Sequence, residues 1–300
     1  MLKVTDTEVF GWEAAIRGMR NPMNSWEKSD SGRCHKDLVR DCVTCVHRNS
    51  GYAACAVGGF DVGQSDFALM KKLVAAGTDH SKFMRMIHVQ CDWEAPLYWW
   101  KEADTYKVGT VRNSCSTMHK IAEKEFTMDD FSCEHLFGPD DMLKFDERKD
   151  IAKDNALAAV NVDGDWCYFT PKGYIQMTCN ILNHYRQKYL EAQKKPMKEE
   201  AKRTGLVKRY WWQMIQLLPS SYLQKATMDF NYQVLRNMYQ SRKNHKQDEW
   251  SIDFCNWVKT LPYSELITMT REELLEDKCK YVFQTVEQIV DTEKWMEEGS

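Results

Sequence analysis

Two polar segments of this sequence contain the residue types that bind a phosphate and a polar base. The first is a loop from Thr105 to Thr117, with the sequence TYKVGTVRNSCST. It combines two cations, an amide, a thiol and five hydroxyl groups besides that of Tyr106. It also contains Gly109, which has no Cβ and therefore lets the backbone approach a ligand closely. The alternative is a surface loop that leads into a Ser/Thr helix cap, and residue types alone do not separate the two.

The second segment places Asn231, Asn237 and Arg242 on or just beyond a helix that we predict over residues 226–240. At about 100° per residue, positions 231 and 242 of a continuing helix point within ~20° of each other, whereas position 237 is offset from 242 by ~140°. One helix end could thus offer an amide and a guanidinium to the same ligand. The alternative is that Arg242 and the basic residues after it are the cations that favour a helix C-terminus.

Composition limits the class of protein. The chain has 300 residues, a net charge of −3, 43% hydrophobic and 28% charged residues, which is typical of a soluble globular protein with a large core. The small negative charge argues against bulk binding of nucleic acid. The N-terminus has no apolar signal region, and no apolar run approaches the ~18 residues that would cross a membrane. We therefore expect a cytoplasmic protein without membrane contact.

The cysteines raise the question of a metal site. The chain has eleven of them, which the cytosol would keep mostly as reduced thiols. The polar segment at about 28–60 holds Cys34, Cys42, Cys45 and Cys55, and the middle two form a C-x₂-C pair. Four thiolates, or three together with His35, could bind zinc tetrahedrally. The other spacings match no zinc module, so we favour an inserted surface loop with free thiols and predict no metal ligands.

The remaining pattern predicts a mixed protein that is rich in helices. We predict strands at residues 3–10 and 84–91, a hairpin at the Asp163-Gly164 pair, and helices over 11–19, 65–76, 95–104, 174–193, 206–218 and 248–260. Ser65 and Gly77 are the expected ends of the helix over 65–76. Thr270, with Glu273 three residues later, is the expected start of a C-terminal helical region. His80 follows in a loop, where it could contact a ligand or merely be exposed.

Two stretches resemble the flavin-dependent thymidylate synthase family. Ala95-Pro96-Leu97-Tyr98 through Lys120-Ile121 resembles the Ala-Pro helix segment that leads into the family's Arg-His-Arg…Ser signature. Leu218-Pro219 through Trp250-Ser251-Ile252 resembles its Leu-Pro…Asn…Arg…His…Gln region. The resemblance covers most of residues 64–130 and 206–260. It implies a single domain over residues 1–300, with a Cys-rich insertion at about 28–60 and a C-terminal helical extension at about 265–300.

The resemblance implies an α+β fold in which long helices flank an antiparallel sheet. It also implies a homotetramer whose active sites lie between subunits. Members of the family methylate dUMP at C5 reductively. Methylenetetrahydrofolate supplies the one-carbon unit, NADPH supplies hydride and FAD carries both steps, so that no protein nucleophile is required.

Roles for individual residues follow from the resemblance. Arg242 is the expected catalytic residue, because it is similar to the arginine that contacts the uracil ring and stabilises charge developing on the base. The expected flavin-binding residues are His80, Lys101, Tyr106, Asn231, Asn237 and His245. The expected substrate-binding residues are Glu102, Lys107, Thr110, Arg112, Asn113, Ser114 and Cys115.

The signature itself is altered, which motivates other functions. Thr105-Tyr106-Lys107 stands at the Arg-His-Arg positions, and Glu102 stands where the family has a glutamine. A lysine does not replace the two parallel hydrogen bonds of an arginine. The alternative function is therefore a catalytically altered nucleotide-binding protein that senses or sequesters a nucleotide. A third reading is an oligomeric scaffold with a zinc-stapled loop.

Overall fold

The structure, a computed structural model, describes residues 1–33, 60–138, 158–162, 165–194 and 200–276, with backbone alone for residues 158–162, 165–169 and 200–203. The candidate zinc ligands Cys34, Cys42, Cys45 and Cys55 lie outside the described residues, as do residues 277–300 of the predicted C-terminal extension. In the described part of the chain, no group of three or more His, Cys, Asp or Glu side chains could hold a metal ion. Among the helices in that part, none has the length and apolar character to cross a membrane.

The first half of the chain forms short elements. They are β1 (Lys3–Phe10), α1 (Trp12–Arg20), β2 (Gly32–Arg33), β3 (Phe60–Asp61), α2 (Gln64–Ala76), β4 (His88–Pro96), α3 (Leu97–Ala103), β5 (Val111–Ser114) and α4 (Thr117–Lys120). The second half contains the two longest helices. Its elements are β6 (Ala158–Val162), β7 (Asp165–Phe169), α5 (Pro171–Gln193), α6 (Glu200–Leu217), β8 (Leu223–Asn231), α7 (Tyr232–Arg242), a π-helix (Glu249–Phe254), α8 (Cys255–Lys259) and α9 (Glu265–Thr268).

The main sheet has four antiparallel strands in the order β1-β4-β8-β5. Two smaller sheets are the antiparallel pairs β2–β3 and β6–β7. In the second pair Val162 lies opposite Asp165, so the two strands are joined through residues 163–164 and the predicted Asp-Gly hairpin is confirmed. The mixed helix-and-sheet class with an antiparallel sheet, expected from the sequence, is likewise confirmed.

The chain divides into two compact units. The first unit comprises Met1–Lys3, Glu94–Thr105 and Asn113–Ala226. The second unit comprises Val4–Trp93, Tyr106–Arg112 and Thr227–Ser300.

The first unit buries one face of its long helix α5. The helix starts where Thr170 accepts a hydrogen bond from the Gly173 N–H (3.2 Å) and Pro171 occupies the first turn, which is a favourable helix start. Its buried positions recur at intervals of three or four residues, as an amphipathic helix requires. The hydrophobic core they belong to consists of Ile121, Phe126, Phe131, Ile175, Cys179, Leu182 and Met214. The helix predicted over 174–193 is thus confirmed.

The second unit has a core built on aromatic rings. The Trp12 ring meets Tyr232 edge-on, with centroids 5.3 Å apart, and Trp93 packs against Phe230 at 4.7 Å. All four side chains are buried. Edge-on and tilted arrangements suit the charge distribution of aromatic rings and add to the stabilisation from burial.

A buried ion pair in the second unit ties α1 to α2. Arg20 Nε donates to Asp66 Oδ1 at 2.6 Å, and the two side chains are 4% and 0% exposed. Asp66 Oδ2 accepts hydrogen bonds from the hydroxyls of Ser29 and Ser31 at 2.6 Å and from the N–H groups of Asp30 and Ser31 at 3.2 Å. Burial acts to raise the pKa of Asp66, but the hydrogen bonds from Ser29, Ser31 and Arg20, with the charge of Arg20, lower that pKa overall.

The start of α2 differs from the prediction. The helix begins at Gln64 after Gly63, so Ser65 is not its N-cap. The carboxylate of Asp30 instead accepts from the N–H groups of Ser65 (2.8 Å) and Asp66 (3.0 Å). The cap therefore comes from a residue distant in sequence, because a carboxylate satisfies the exposed N–H groups of a first helical turn wherever it comes from in the chain.

The helix predicted over 226–240 was wrong in its first half. Residues up to Asn231 form strand β8, in which Ala226, Met228 and Phe230 are buried while Lys225 and Thr227 are exposed. Burial of alternate residues is the period of a strand, with one face against a core. Helix α7 starts only after Asn231.

The C-terminal helix start is confirmed. The Thr270 N–H donates to the Glu273 carboxylate at 2.7 Å, and the Glu273 N–H donates to the Thr270 hydroxyl at 3.3 Å. This reciprocal pair is a capping box, and residues 271–276 are helical.

Candidate functional site

The loop between α3 and β5 packs against the start of α7. Gly109 has φ of +74°, and a Cβ at this position would lie 2.9 Å from Asn231 Nδ2 and 3.1 Å from Val234 Cγ2. Asn231 is buried and caps α7, because its Oδ1 accepts from the Val234 N–H at 3.0 Å. The glycine in this loop thus lets its backbone approach the protein's own Asn231. A contact between Asn231 and a flavin stays a prediction.

We expect Gly109→Ala to lower the free energy of unfolding by about 1–3 kcal/mol, because the new methyl group meets Asn231 and Val234 and the positive φ disfavours an L side chain. Urea denaturation of both proteins measures the difference. Gly77 also has a positive φ (+111°), but a Cβ there meets no atom within 4 Å. Gly77→Ala therefore isolates the backbone cost, and an equal loss in the two variants would contradict the contact with Asn231.

Arg242 is held by two aromatic side chains. Its Nε donates to the Tyr106 hydroxyl at 2.9 Å. Its Cζ lies 5.5 Å from the centroid of the Tyr106 ring and 5.0 Å from that of the Trp250 ring. Contacts of a guanidinium with aromatic faces are attractive, and Trp250 is fully buried. The half-buried Arg242 is therefore fixed in position.

Trp250 is a site residue that the sequence reasoning did not single out. It lies in the π-helix Glu249–Phe254, a wide turn that occurs often at functional sites. A tryptophan in an apolar stretch gives no local signal that it contacts an arginine on the preceding helix. Only the resemblance, whose second stretch ended with Trp250, offered a reason to inspect it.

The turn after α7 orients His245. Its Nδ1 accepts a hydrogen bond from the Gln247 N–H at 3.2 Å, so the neutral imidazole carries its proton on Nε2. Its backbone N–H donates to the Arg242 carbonyl at 2.9 Å. Asn237, on α7, is exposed, and its Oδ1 accepts from Gln233 Nε2 at 3.1 Å.

The other predicted site residues are divided between the two units. His80, Lys107, Thr110 and Arg112 belong to the second unit with the residues above, where His80 and Lys107 are exposed. The first unit contains Lys101, Glu102, Asn113, Ser114 and Cys115. Two direct contacts join predicted site segments within the second unit: Tyr106 with Arg242, and Gly109 with Asn231.

The residues of the first unit have local structural roles. Lys101 is exposed in the last turn of α3, and the Glu102 carbonyl accepts from the Thr105 hydroxyl at 2.7 Å. The Cys115 N–H donates to the Lys225 carbonyl at 2.9 Å, while its thiol is free and exposed. The side chains of Asn113 and Ser114, on strand β5, are exposed. Their predicted contact with a substrate is untested.

The chemistry of the second-unit cluster is that of hydrogen-bond donation. A guanidinium has donors and no acceptor, and Arg242 is held in place by Tyr106 and Trp250. Charge-assisted hydrogen bonds from a positioned guanidinium are about twice as strong as neutral ones. Such a group can bind a carbonyl oxygen or an anion and can stabilise negative charge that develops on a ligand.

Comparisons with known proteins found distant structural likenesses. No protein-family model matches the chain, and no curated protein matches it in sequence. A structure of thymidylate synthase X (ThyX) from Helicobacter pylori with FAD and dUMP is 13% identical, covering 89% of this chain and 96% of that chain with a TM-score of 0.49. A second structure of flavin-dependent thymidylate synthase ThyX from Helicobacter pylori, complexed with FAD and dUMP, is 14% identical, covering 87% and 96% with a TM-score of 0.44.

Proposed function

We propose that the chain is a flavin-dependent thymidylate-synthase-like enzyme that acts on a pyrimidine nucleotide, dUMP or a relative, and transfers a one-carbon unit to C5. The observation that carries this proposal is the fixed guanidinium of Arg242, held by Tyr106 and Trp250. The sequence resemblance assigns this arginine to the uracil ring. Donation from a fixed guanidinium to a ring carbonyl would stabilise the negative charge that makes C5 nucleophilic.

The donor groups of the second unit fit FAD. The isoalloxazine ring has two carbonyl oxygens, which accept hydrogen bonds. Asn237 uses its acceptor within the protein, and His245 carries its proton on Nε2 when neutral, so both can donate. Asn237 and His245 would hold the ring, with Tyr106 and Asn231 as further contacts by resemblance. When bound, FAD supplies hydride transfer from NADPH, with methylenetetrahydrofolate as the source of the one-carbon unit.

The proposal extends to the assembly and the location. By resemblance the enzyme is a cytoplasmic homotetramer, and residues 1–300 form one thymidylate-synthase-like domain. The nucleotide would contact Glu102, Lys107, Thr110, Arg112, Asn113, Ser114 and Cys115. Lys101 and His80 would contact the flavin.

A second candidate function is binding of a nucleotide without methylation. Lys107 is exposed and Glu102 is a half-buried carboxylate, at positions where the family has an arginine and a neutral glutamine. An ammonium group binds phosphate as a point charge, and a carboxylate repels it. These two positions favour a ligand that is held more weakly than in an enzyme with the full signature, as a sensor or a sequestering protein requires.

The absorbance spectrum of the purified full-length chain, recorded after incubation with FAD and dialysis, tests the proposal. We expect retained flavin bands, and conversion of dUMP when NADPH and methylenetetrahydrofolate are added. Calorimetric titration with dUMP in the absence of flavin tests the second candidate. Binding of dUMP by a protein that takes up no flavin would replace the enzyme with the nucleotide-binding protein. Uptake of neither ligand would contradict both.

A further inference from the structure

A chain of three side chains links a buried turn to the exposed face of α7. The Ser81 hydroxyl donates to Gln233 Oε1 at 3.0 Å, and Gln233 Nε2 donates to Asn237 Oδ1 at 3.1 Å. Ser81 precedes the short 3₁₀ helix Lys82–Met86 and is 2% exposed, and Gln233 is 6% exposed. Asn237 lies one helical turn after Gln233 and is exposed. The first hydrogen bond is thus buried, and the last side chain of the series meets solvent.

This series transmits a direction from Ser81 to Asn237. A side-chain amide has an acceptor end and a donor end. Because the Ser81 hydrogen is directed at Gln233 Oε1, the NH₂ group of Gln233 is left to face Asn237. Asn237 meets that donor with its Oδ1. Its own Nδ2 group, with two N–H donors, is consequently the end available to a ligand.

The neighbouring groups have the same polarity. Arg242 can only donate, and the neutral His245 donates through Nε2 because its Nδ1 accepts the Gln247 N–H. The second half of α7 and the turn after it therefore carry three polar side chains whose ligand-facing groups are donors. Groups that only donate are suited to a ligand that offers oxygen acceptors and would leave the N–H groups of a competing ligand unpaired.

We propose that Ser81 and Gln233 are positioning residues, which fix Asn237 with its N–H groups outward so that it donates to a carbonyl oxygen of a pyrimidinedione ring. This inference rests on the proposed function, since a pyrimidinedione is present both in the uracil base and in the isoalloxazine ring. A buried serine and glutamine could satisfy each other in either amide orientation. Only the observed orientation turns the donors of Asn237 toward a ligand.

The test is a double-mutant cycle on the full-length protein, with FAD and dUMP titrated separately. We expect Asn237→Ala to weaken binding about tenfold and Ser81→Ala to weaken it by a smaller factor, in line with about 1 kcal/mol for one hydrogen bond. Adding Ser81→Ala to Asn237→Ala should weaken binding no further, because Ser81 acts through Asn237. Ser81→Thr keeps the hydroxyl and should keep the affinity. An effect confined to FAD assigns the carbonyl to the flavin, and one confined to dUMP assigns it to uracil.

Gln240→Ala is the matched control on the same helix. Gln240 Nε2 donates to the Thr268 carbonyl at 3.1 Å, so this variant loses a structural hydrogen bond and should keep both affinities. Losses that add in the double mutant, or an unchanged affinity in Ser81→Ala, would overturn the relay while the proposed function stands. A wild-type protein that binds neither ligand would overturn both.

A further variant covers the case in which Ser81→Ala does not fold. Asn237 is exposed, so Asn237→Asp should fold while replacing the two N–H donors with an acceptor of the same shape. We expect it to weaken binding more than Asn237→Ala does, because an acceptor then faces a carbonyl oxygen. Retained affinity in Asn237→Asp would overturn the proposed polarity.

Discussion

Asp66→Ala is expected to lower the free energy of unfolding by about 3–5 kcal/mol, the typical cost of removing one partner from a buried ion pair. The guanidinium of Arg20 would remain buried at 4% exposure without its carboxylate. The hydroxyls of Ser29 and Ser31 would lose their acceptor as well. Urea denaturation measures the loss as a lower midpoint at an unchanged slope.

The matched control is an ion pair on the surface. Lys120 and Glu123 lie 3.0 Å apart with side chains 67% and 63% exposed, so Glu123→Ala is expected to cost less than about 0.5 kcal/mol. Asp66→Asn, which keeps one oxygen acceptor, should fall between the two. An Asp66→Ala protein as stable as the Glu123→Ala protein would contradict a structural role for the pair.

The same pair gives a pH dependence with a definite sign. The pKa of Asp66 is lowered in the folded protein, so the unfolded chain takes up a proton at a higher pH than the folded one does. The contribution of Asp66 is therefore complete above its ordinary pKa of about 3.9 and is lost as the pH falls through the lower, folded value. Urea denaturation between about pH 5 and pH 2 should show wild type losing stability more steeply than Asp66→Asn. Parallel curves would contradict the shift.

Arg242→Met is expected to weaken binding of dUMP about 10- to 100-fold, because hydrogen bonds to a charged group contribute about 1.5–3 kcal/mol. Arg242→Lys should suffer most of the same loss, since an ammonium group cannot reproduce the planar guanidinium that lies against Tyr106 and Trp250. Tyr106→Phe keeps the ring and removes only the acceptor of the Arg242 Nε, so its effect should be smaller. Calorimetric titration gives the three dissociation constants.

Arg236 provides the control for Arg242. It lies on the same helix and donates to the carbonyls of Leu266 at 2.9 Å and Met269 at 2.8 Å, which ties α7 to the end of α9. Arg236→Met should therefore lower the stability of the fold without changing the affinity of the folded protein for dUMP. Affinity that falls in Arg236→Met and stays constant in Arg242→Met would exclude Arg242 from the ligand site.

The elements with a strong local pattern were predictable from the sequence. Strand β1 was predicted over its full length, and α2 ends at Gly77 as expected. Strand β8 was predicted as a helix because Met228 and Leu235 also fit a helical spacing, although the alternation of Ala226, Met228 and Phe230 was visible in the sequence. Which period applies depends on the neighbouring strands, and a single segment does not contain that information.

The candidate site was predictable only in part, because its contacts join distant residues. Tyr106 and Arg242 are 136 positions apart, and their pairing followed from the resemblance and from no spacing rule. Asn231 was identified as a polar residue of interest, but its place at the junction of β8 and α7 makes it a helix cap. Ser81 and Gln233 gave no signal at all, since their role depends on the direction of one buried hydrogen bond.

The π-helix Glu249–Phe254 makes this segment sensitive to insertions and deletions. A π turn holds about one residue more than an α turn. Deleting one residue would restore α spacing and rotate the following helix, Cys255–Lys259, by about 100° relative to Trp250. The buried Val258 would then leave the core. We expect related chains to vary in residue type between Arg242 and Val258 while keeping the number of residues constant.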